Sequence, residues 1–213
     1  MSQTVAKICG LSTVDTVDAA ISGGARHIGL NFYAPSPRAI GMEQAAALAA
    51  RIPDTVGRVG VYVDPDEALV DASVAAGRLT ALQFHKTTPE RAAAIRARTG
   101  LPIWAVVAVK TRADLDQARA FAGAADFILY DAKTPDTAAL PGGMGVRFDW
   151  GVLDGFQSPL PWGLSGGLTP DNVGDAIRQT RAPLVDVSSG VESAPGIKDV
   201  DKIAAFLKAV SRS

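Results

Sequence analysis

Cysteine occurs once in 213 residues and histidine twice, so no intrachain disulfide can form and no Cys/His spacing matches a structural zinc site. A fold with neither staple nor structural metal fits a reducing cytoplasm. Charge of one sign is not in excess either. The chain carries 21 Lys and Arg against 22 Asp and Glu, a formal net charge of -1, which leaves no global field to draw in nucleic acid or an anionic membrane. An anionic ligand must therefore be gripped by a local site. Long apolar runs are missing as well: the longest, Ile103 to Val109, falls far short of the ~20 residues of a membrane helix. The N-terminus Met1-Ser2-Gln3-Thr4-Val5 lacks the basic segment and apolar stretch of a secretory signal. No metal, haem, flavin or nicotinamide signature occurs. The run Gly142-Gly143-Met144-Gly145 lacks the flanking strand and lysine of a nucleotide loop and reads as mobile backbone near the sixth strand. These absences predict a cytoplasmic protein without cofactor, whose partner is a small molecule rather than nucleic acid or membrane.

What is there is ample core material, with 47% hydrophobic and 20% charged residues, close to an ordinary globular domain. Short β-rich runs alternate with Ala-rich amphipathic stretches from one end to the other, which implies parallel βαβ units. Eight strands are expected: Val5 to Cys9, His27 to Phe32, Arg58 to Val63, Ala81 to Phe84, Ile103 to Val109, Phe127 to Tyr130, Trp162 to Ser165 and Leu184 to Val187. Between them, apolar residues recur at helical spacing, as at Val14, Val17, Ala20 and Ile21. Ser12, Thr111 and Thr169-Pro170 stand where helices should begin, and Gly23-Gly24, Gly77 and Gly100 where they should end. Eight units over 213 residues leave about 27 residues each, lean against the ~250 of a typical (β/α)8 barrel. The expected architecture is a single compact (β/α)8 TIM barrel domain over residues 1–213. An open doubly wound sheet is the alternative, but it places its glycine-rich loop after an early strand, whereas here such loops follow the seventh and eighth.

In a barrel the reactive groups come from the C-terminal ends of the strands. Gly166-Gly167 and Ser189-Gly190 fall in the loops after strands seven and eight, where backbone N–H groups at helix N-termini can converge on a phosphate. Cys9 ends the first strand, and period-two geometry puts Lys7 on the same face, an ammonium placed to favour the thiolate. Lys7 then points into the barrel, where an unpaired charge is costly. Because strand eight neighbours strand one in a closed barrel, Asp186 is its expected partner. Asp131 follows the apolar run Phe127 to Tyr130, and a carboxyl at an apolar mouth has its pKa raised toward the range of a general acid; a helix cap or a partner for Lys133 is the bland alternative. Arg38, in the loop Ala34-Pro35-Ser36-Pro37-Arg38, is suited to clamp a substrate carboxylate, against the alternative of a solvated loop arginine. His27 lies at the stability face and reads as structural, His85 at the active face. Asp64 and Lys110 read as rim residues.

Taken in order, Lys7-Ile8-Cys9-Gly10-Leu11, Gly29-Leu30-Asn31-Phe32 with Ser36-Pro37-Arg38, Leu82-Gln83-Phe84-His85, Asp131-Ala132-Lys133, Ser165-Gly166-Gly167-Leu168-Thr169-Pro170 and Asp186-Val187-Ser188-Ser189-Gly190-Val191-Glu192 resemble the phosphoribosylanthranilate isomerase family, small barrel enzymes of tryptophan biosynthesis. The resemblance spans essentially the whole chain. It implies a cofactor-free Amadori rearrangement of N-(5-phosphoribosyl)anthranilate, with Asp131 as the acid at the furanose ring oxygen and Cys9 as the base at ribose C2. It further implies Arg38 on the anthranilate carboxylate, Asp186 near the sugar, and Gly166, Gly167, Ser189 and Gly190 on the phosphate. Three residues depart from the family pattern: Lys86 stands where glycine is usual, Met144 where threonine is, and Asn31 where an apolar or aromatic residue is. Another phosphosugar barrel, such as an epimerase or the histidine-pathway isomerase, shares the phosphate loops, but the former needs metal ligands and the latter an Asp in place of Cys9. A non-catalytic phosphosugar binder of the same fold is the remaining alternative. A monomer is expected, with a dimer through the loops as the alternative.

Overall fold

A computed structural model describes residues 3–133, 145 and 147–213. Eight parallel strands follow one another around a closed barrel: β1 (Val5–Cys9), β2 (His27–Asn31), β3 (Gly57–Val63), β4 (Ala81–His85), β5 (Ile103–Val109), β6 (Phe127–Ala132), β7 (Trp162–Leu164) and β8 (Leu184–Val187). β8 pairs back onto β1 and closes the ring. The expected barrel is the observed one, and β1, β5 and β8 have the expected bounds. β6 differs, running on to Ala132 because Asp131 and Ala132 continue the ladder against Ala108 and Val109 of β5. Asp131 therefore belongs to the strand, and the pleat aims its side chain.

The period-two alternation sorts residues to two faces. Outward residues such as Ile8, Ile28, Leu82, Ile128 and Val185 pack under the helices in the main core, while Val59, Ala81, Trp104, Leu129 and Leu184 form a separate cluster inside the barrel. Trp104 fills the narrow end, tilted against Phe127 at 4.5 Å and edge-on to His27 at 5.1 Å.

Helices α1 (Val14–Ser22), α2 (Met42–Ala49), α3 (Glu67–Gly77) and α4 (Pro89–Thr99) follow the first four strands, and α5 (Val173–Thr180) and α6 (Val200–Ser211) the last two. The fifth unit has a 3-10 helix, Arg112–Phe121, in place of an α-helix, begun at Thr111 as expected, with the Asp114 carboxylate accepting the Thr111 N–H at 2.7 Å. The caps correct the expectation in two places. Thr13, not Ser12, caps α1, its hydroxyl accepting from the Thr16 N–H. α5 starts at Val173 rather than at Pro170, because Asn172 accepts the Thr169 N–H at 2.8 Å and donates to the Gly167 carbonyl at 2.9 Å, closing a turn ahead of the helix. After β8 comes one 3-10 turn, Ser189–Val191, then a short antiparallel hairpin, β9 (Glu192–Ala194) with β10 (Ile197–Lys198).

Candidate active site

Lys7 and Asp186 face each other in register across β1 and β8, and the Lys7 Nζ donates to Asp186 Oδ1 at 2.9 Å. The expected ion pair is formed. Lys7 is fully buried and Asp186 nearly so. Despite burial, which alone pulls an ammonium down, Asp186 and Cys9 together hold the Lys7 pKa above its ordinary value.

One pleat above Lys7, Cys9 opens into a mouth that it lines together with Asn31, Arg38, His85, Asp131, Ser165 and Asp186. Cys9 and Asp131 are thus brought to one cavity. The sulfur has room because its neighbour in register is a glycine: a Cβ on Gly29 would stand 2.7 Å from Cys9 Sγ. Burial pushes the Cys9 thiol up, and the Lys7 ammonium opposes this without cancelling it, leaving the pKa above its ordinary value. The expectation that Lys7 favours the thiolate holds for its own contribution, but desolvation is the larger effect.

Asp131 behaves as its position predicts. Burial first, and the charge of Asp186 second, raise its pKa to about 7, against the pull of the Ala132 N–H, which donates to Asp131 Oδ1 at 2.9 Å. Gly166, at φ +92°, lies directly over this carboxyl, and a Cβ there would come within 2.5 Å of the Ala132 nitrogen and 3.0 Å of Asp131 Oδ1. Only glycine brings the loop this close.

His85 also lines the mouth, and burial and the Lys7 charge lower its pKa to about 4, so it is neutral near pH 7. His27, at the opposite end against Trp104, is likewise held to about 4, chiefly by burial. Asp64 and Lys110 are exposed, as rim residues should be.

Arg38 is no solvated loop arginine. It is buried, and its Nε and Nη2 donate to the two carboxylate oxygens of Glu192 at 2.7 and 2.8 Å. Lys198 donates to the same carboxylate at 2.7 Å and to the Ser188 carbonyl at 2.8 Å. Together these two cations overcome burial and keep the Glu192 pKa low. Glu192 and Lys198 had no assigned role in the sequence reading, and 154 positions separate Arg38 from Glu192; no local spacing signals a contact that only the β9–β10 hairpin creates.

Arg38 also borders a second cleft, of about 490 Å³, lined by Gly145, Gly167, Leu168, Thr169, Ser189 and Gly190. Three of the four expected phosphate residues thus meet in one place, and Gly166 is set apart against β6. The N–H groups of Gly167, Ser189 and Gly190 donate to no other described residue. On the Gly167 side the cleft is built from loop backbone rather than from a helix N-terminus, since α5 begins only at Val173, whereas Ser189 and Gly190 open the 3-10 turn after β8. Gly142, Gly143 and Met144 lie outside the described residues.

The model of the N-(5'-phosphoribosyl)anthranilate isomerase family matches residues 6–209. A relative in Paramagnetospirillum magneticum bearing that name is 52% identical over 204 residues, 95% of each chain. The crystal structure of phosphoribosyl anthranilate isomerase from Thermotoga maritima superposes with a TM-score of 0.86 at 34% identity, over 99% of this chain and all of that one. A phosphoribosyl anthranilate isomerase solved with reduced 1-(o-carboxyphenylamino)-1-deoxyribulose 5-phosphate superposes with a TM-score of 0.83 at 32% identity, over 99% of this chain and all of that one.

Proposed function

The chain belongs to the N-(5'-phosphoribosyl)anthranilate isomerase family, and on that premise we propose that Asp131 and Cys9 divide the proton work of its reaction. The activity is the conversion of N-(5'-phosphoribosyl)anthranilate to 1-(2-carboxyphenylamino)-1-deoxyribulose 5-phosphate in tryptophan biosynthesis. Asp131 gives its proton to the furanose ring oxygen as the bond from that oxygen to C1 breaks, and the anthranilate nitrogen lone pair forms the C1=N bond of a protonated Schiff base. The Cys9 thiolate then takes the proton from C2, and the C–H pair forms C1=C2 while the C1=N pair returns to nitrogen. In the resulting enolamine C1 gains a proton and the C2 hydroxyl loses one, giving the ketone. Proton exchange from the Cys9 thiol back to Asp131 resets the site.

The observation that carries this reading is one cavity lined by both groups, with a carboxyl whose pKa of about 7 keeps it half protonated at neutrality, the condition for an effective general acid. Arg38, oriented by Glu192, takes the anthranilate carboxylate, and Asp186 contacts the sugar. The N–H groups of Gly167, Ser189 and Gly190 take the phosphate, while Gly166 holds the loop down on β6. The reading takes the monomer as the working unit, which sedimentation of the active enzyme tests. No helix among the described residues is long and apolar enough to cross a membrane, and the reading places the enzyme in the cytoplasm.

The test follows loss of substrate fluorescence, with substrate generated in situ from anthranilate and phosphoribosyl pyrophosphate. Rapid loss in the wild type and near-zero rates in Cys9→Ala and Asp131→Asn are expected. Unimpaired turnover in either variant overturns its assignment. Tight binding of a reduced product analogue without any turnover by the wild type overturns the catalytic reading in favour of a binding protein.

A further inference from the structure

The mouth holds more charge than two proton-transfer groups require. Lys7 and Asp186 are buried in the barrel interior, joined Nζ to Oδ1 at 2.9 Å. A buried ion pair is a poor source of stability, because desolvation offsets most of its attraction; its presence under a catalytic mouth calls for another account. The pair has direction. A Cβ on Gly29 would stand 3.2 Å from Lys7 Nζ and 2.7 Å from Cys9 Sγ, so ammonium and sulfur flank the same gap. At the other end, Asp186 and Asp131 line one cavity, and β7, the strand between theirs, places only Gly163 on the inward face, with Ser165 directly after it.

We propose that the Lys7–Asp186 pair is a fixed dipole that sets the acid and the base of the reaction apart, its ammonium end holding the Cys9 thiolate and its carboxylate end holding Asp131 protonated. Both act here as positioning residues, through the groups they face. The inference rests on Cys9 being the base and Asp131 the acid. A neutral pair does this without adding net charge to the buried interior, and in low dielectric its two ends act strongly on nearest neighbours. The balance at each end agrees. On Cys9 the pull of Lys7 exceeds the push of Asp186, and on Asp131 the push of Asp186 exceeds the pull of Lys7. Other charges face these groups: Lys198 from β10 acts on Cys9, while His27 on β2 and His85 on β4 feel Lys7 and, with pKa values of about 4, stay neutral through the working range.

The reactive form carries a thiolate at Cys9 and a proton on Asp131. With the thiol the weaker acid, each pH unit added to the gap between the two groups lowers that form about tenfold. The test is kcat/KM against pH for the wild type and for Lys7→Met/Asp186→Asn, which removes both charges together and leaves neither uncompensated. The two limbs of the bell are expected to move apart by about one to two pH units in sum, with the maximum falling about 10- to 100-fold. A fall in height with both limbs unmoved means a merely structural pair and overturns the proposal. Should circular dichroism show the double variant unfolded, carboxyl carbon NMR of the wild type decides: Asp131 protonated up to about pH 7 is expected, and titration of Asp131 in the ordinary carboxylate range overturns the proposal. Cys9→Ala and Asp131→Asn, assayed alongside, separate the two claims, because unimpaired activity there removes the acid–base assignment itself.

Discussion

The two ends of the barrel interior are built from the same strands, one pleat step apart, and obey opposite rules. At the narrow end Val59, Ala81, Trp104, Leu129 and Leu184 form an apolar plug. Two residues further along, β4, β6 and β8 present Gln83, Asp131 and Asp186, all nearly inaccessible to solvent. On β1 the same step leads from Val5 to Lys7. The plug gains stability by burying apolar area at roughly 25 cal/mol per Å². The upper layer places carboxyls and an ammonium where desolvation is costly, and what it gains is shifted proton affinity. Stability and chemistry are thus layered along one axis, and the stable layer holds the chemical one rigid.

Substitutions in the two layers should therefore separate cleanly. The largest effect is expected from Cys9→Ala and Asp131→Asn, each lowering kcat by about 10²- to 10⁴-fold while circular dichroism stays that of the wild type; unfolding of both would merge the layers. Next is Trp104→Ala in the plug, which should cost about 3–5 kcal/mol in denaturant unfolding and leave kcat/KM of the folded fraction unchanged. Equal losses in both readouts would break the comparison.

A third effect comes from the cost of the chemical layer itself. Asp131 has a folded pKa of about 7 against 3.8 unfolded, so the folded state binds the extra proton between those values. Stability is then lost as pH rises from about 4 to 7. Asp131→Asn should thus be more stable than the wild type at pH 8, by on the order of 2–4 kcal/mol, and the difference should vanish below pH 4. A pH-independent difference in Tm sinks this account. His27 and His85 act in the reverse sense: their folded pKa values of about 4 lie below the usual 6.5, and their contribution is lost as pH falls from 6.5 to 4.

The smallest effect lies outside both layers. Lys86, exposed just after β4, adopts φ +54°, the left-handed conformation that glycine takes without strain. Lys86→Gly should stabilise by about 0.5–1 kcal/mol, less the added chain entropy, with unchanged kcat. The departure from glycine noted in the sequence therefore keeps the loop's conformation and costs a little stability.

Much of this architecture was legible from residue order. β5 was bounded correctly because a strand buried on both faces is a continuous apolar run that turn residues interrupt, and β1 and β8 because only a single charged residue breaks each otherwise apolar run. The Lys7–Asp186 pair followed from period two and ring closure alone. Asp131 was found as a candidate acid, yet read as a residue following its strand, since nothing in the residue types tells a strand's last pleat from the loop after it. The cap at Thr13 and the late start of α5 were missed for a related reason: Ser12 and Thr13 are both good caps, and Asn172 chooses between turn and helix through contacts with Thr169 and Gly167.

Residue types and their periods sufficed for the fold, the strand order and the placing of Cys9 and Asp131 at one end of the barrel, because these depend on local patterning and on the geometry of a closed ring. Three other things required the folded chain. Arg38 and Lys198 meet on the Glu192 carboxylate only because a hairpin after β8 reaches back to the loop after β2, and Gly166 closely approaches Asp131 while Gly167, Ser189 and Gly190 line a separate cleft. The Cys9 thiol is held up, and not down, because desolvation outweighs a neighbouring ammonium. Burial of that kind is a sum over every element packed around an atom, and no stretch of sequence contains it.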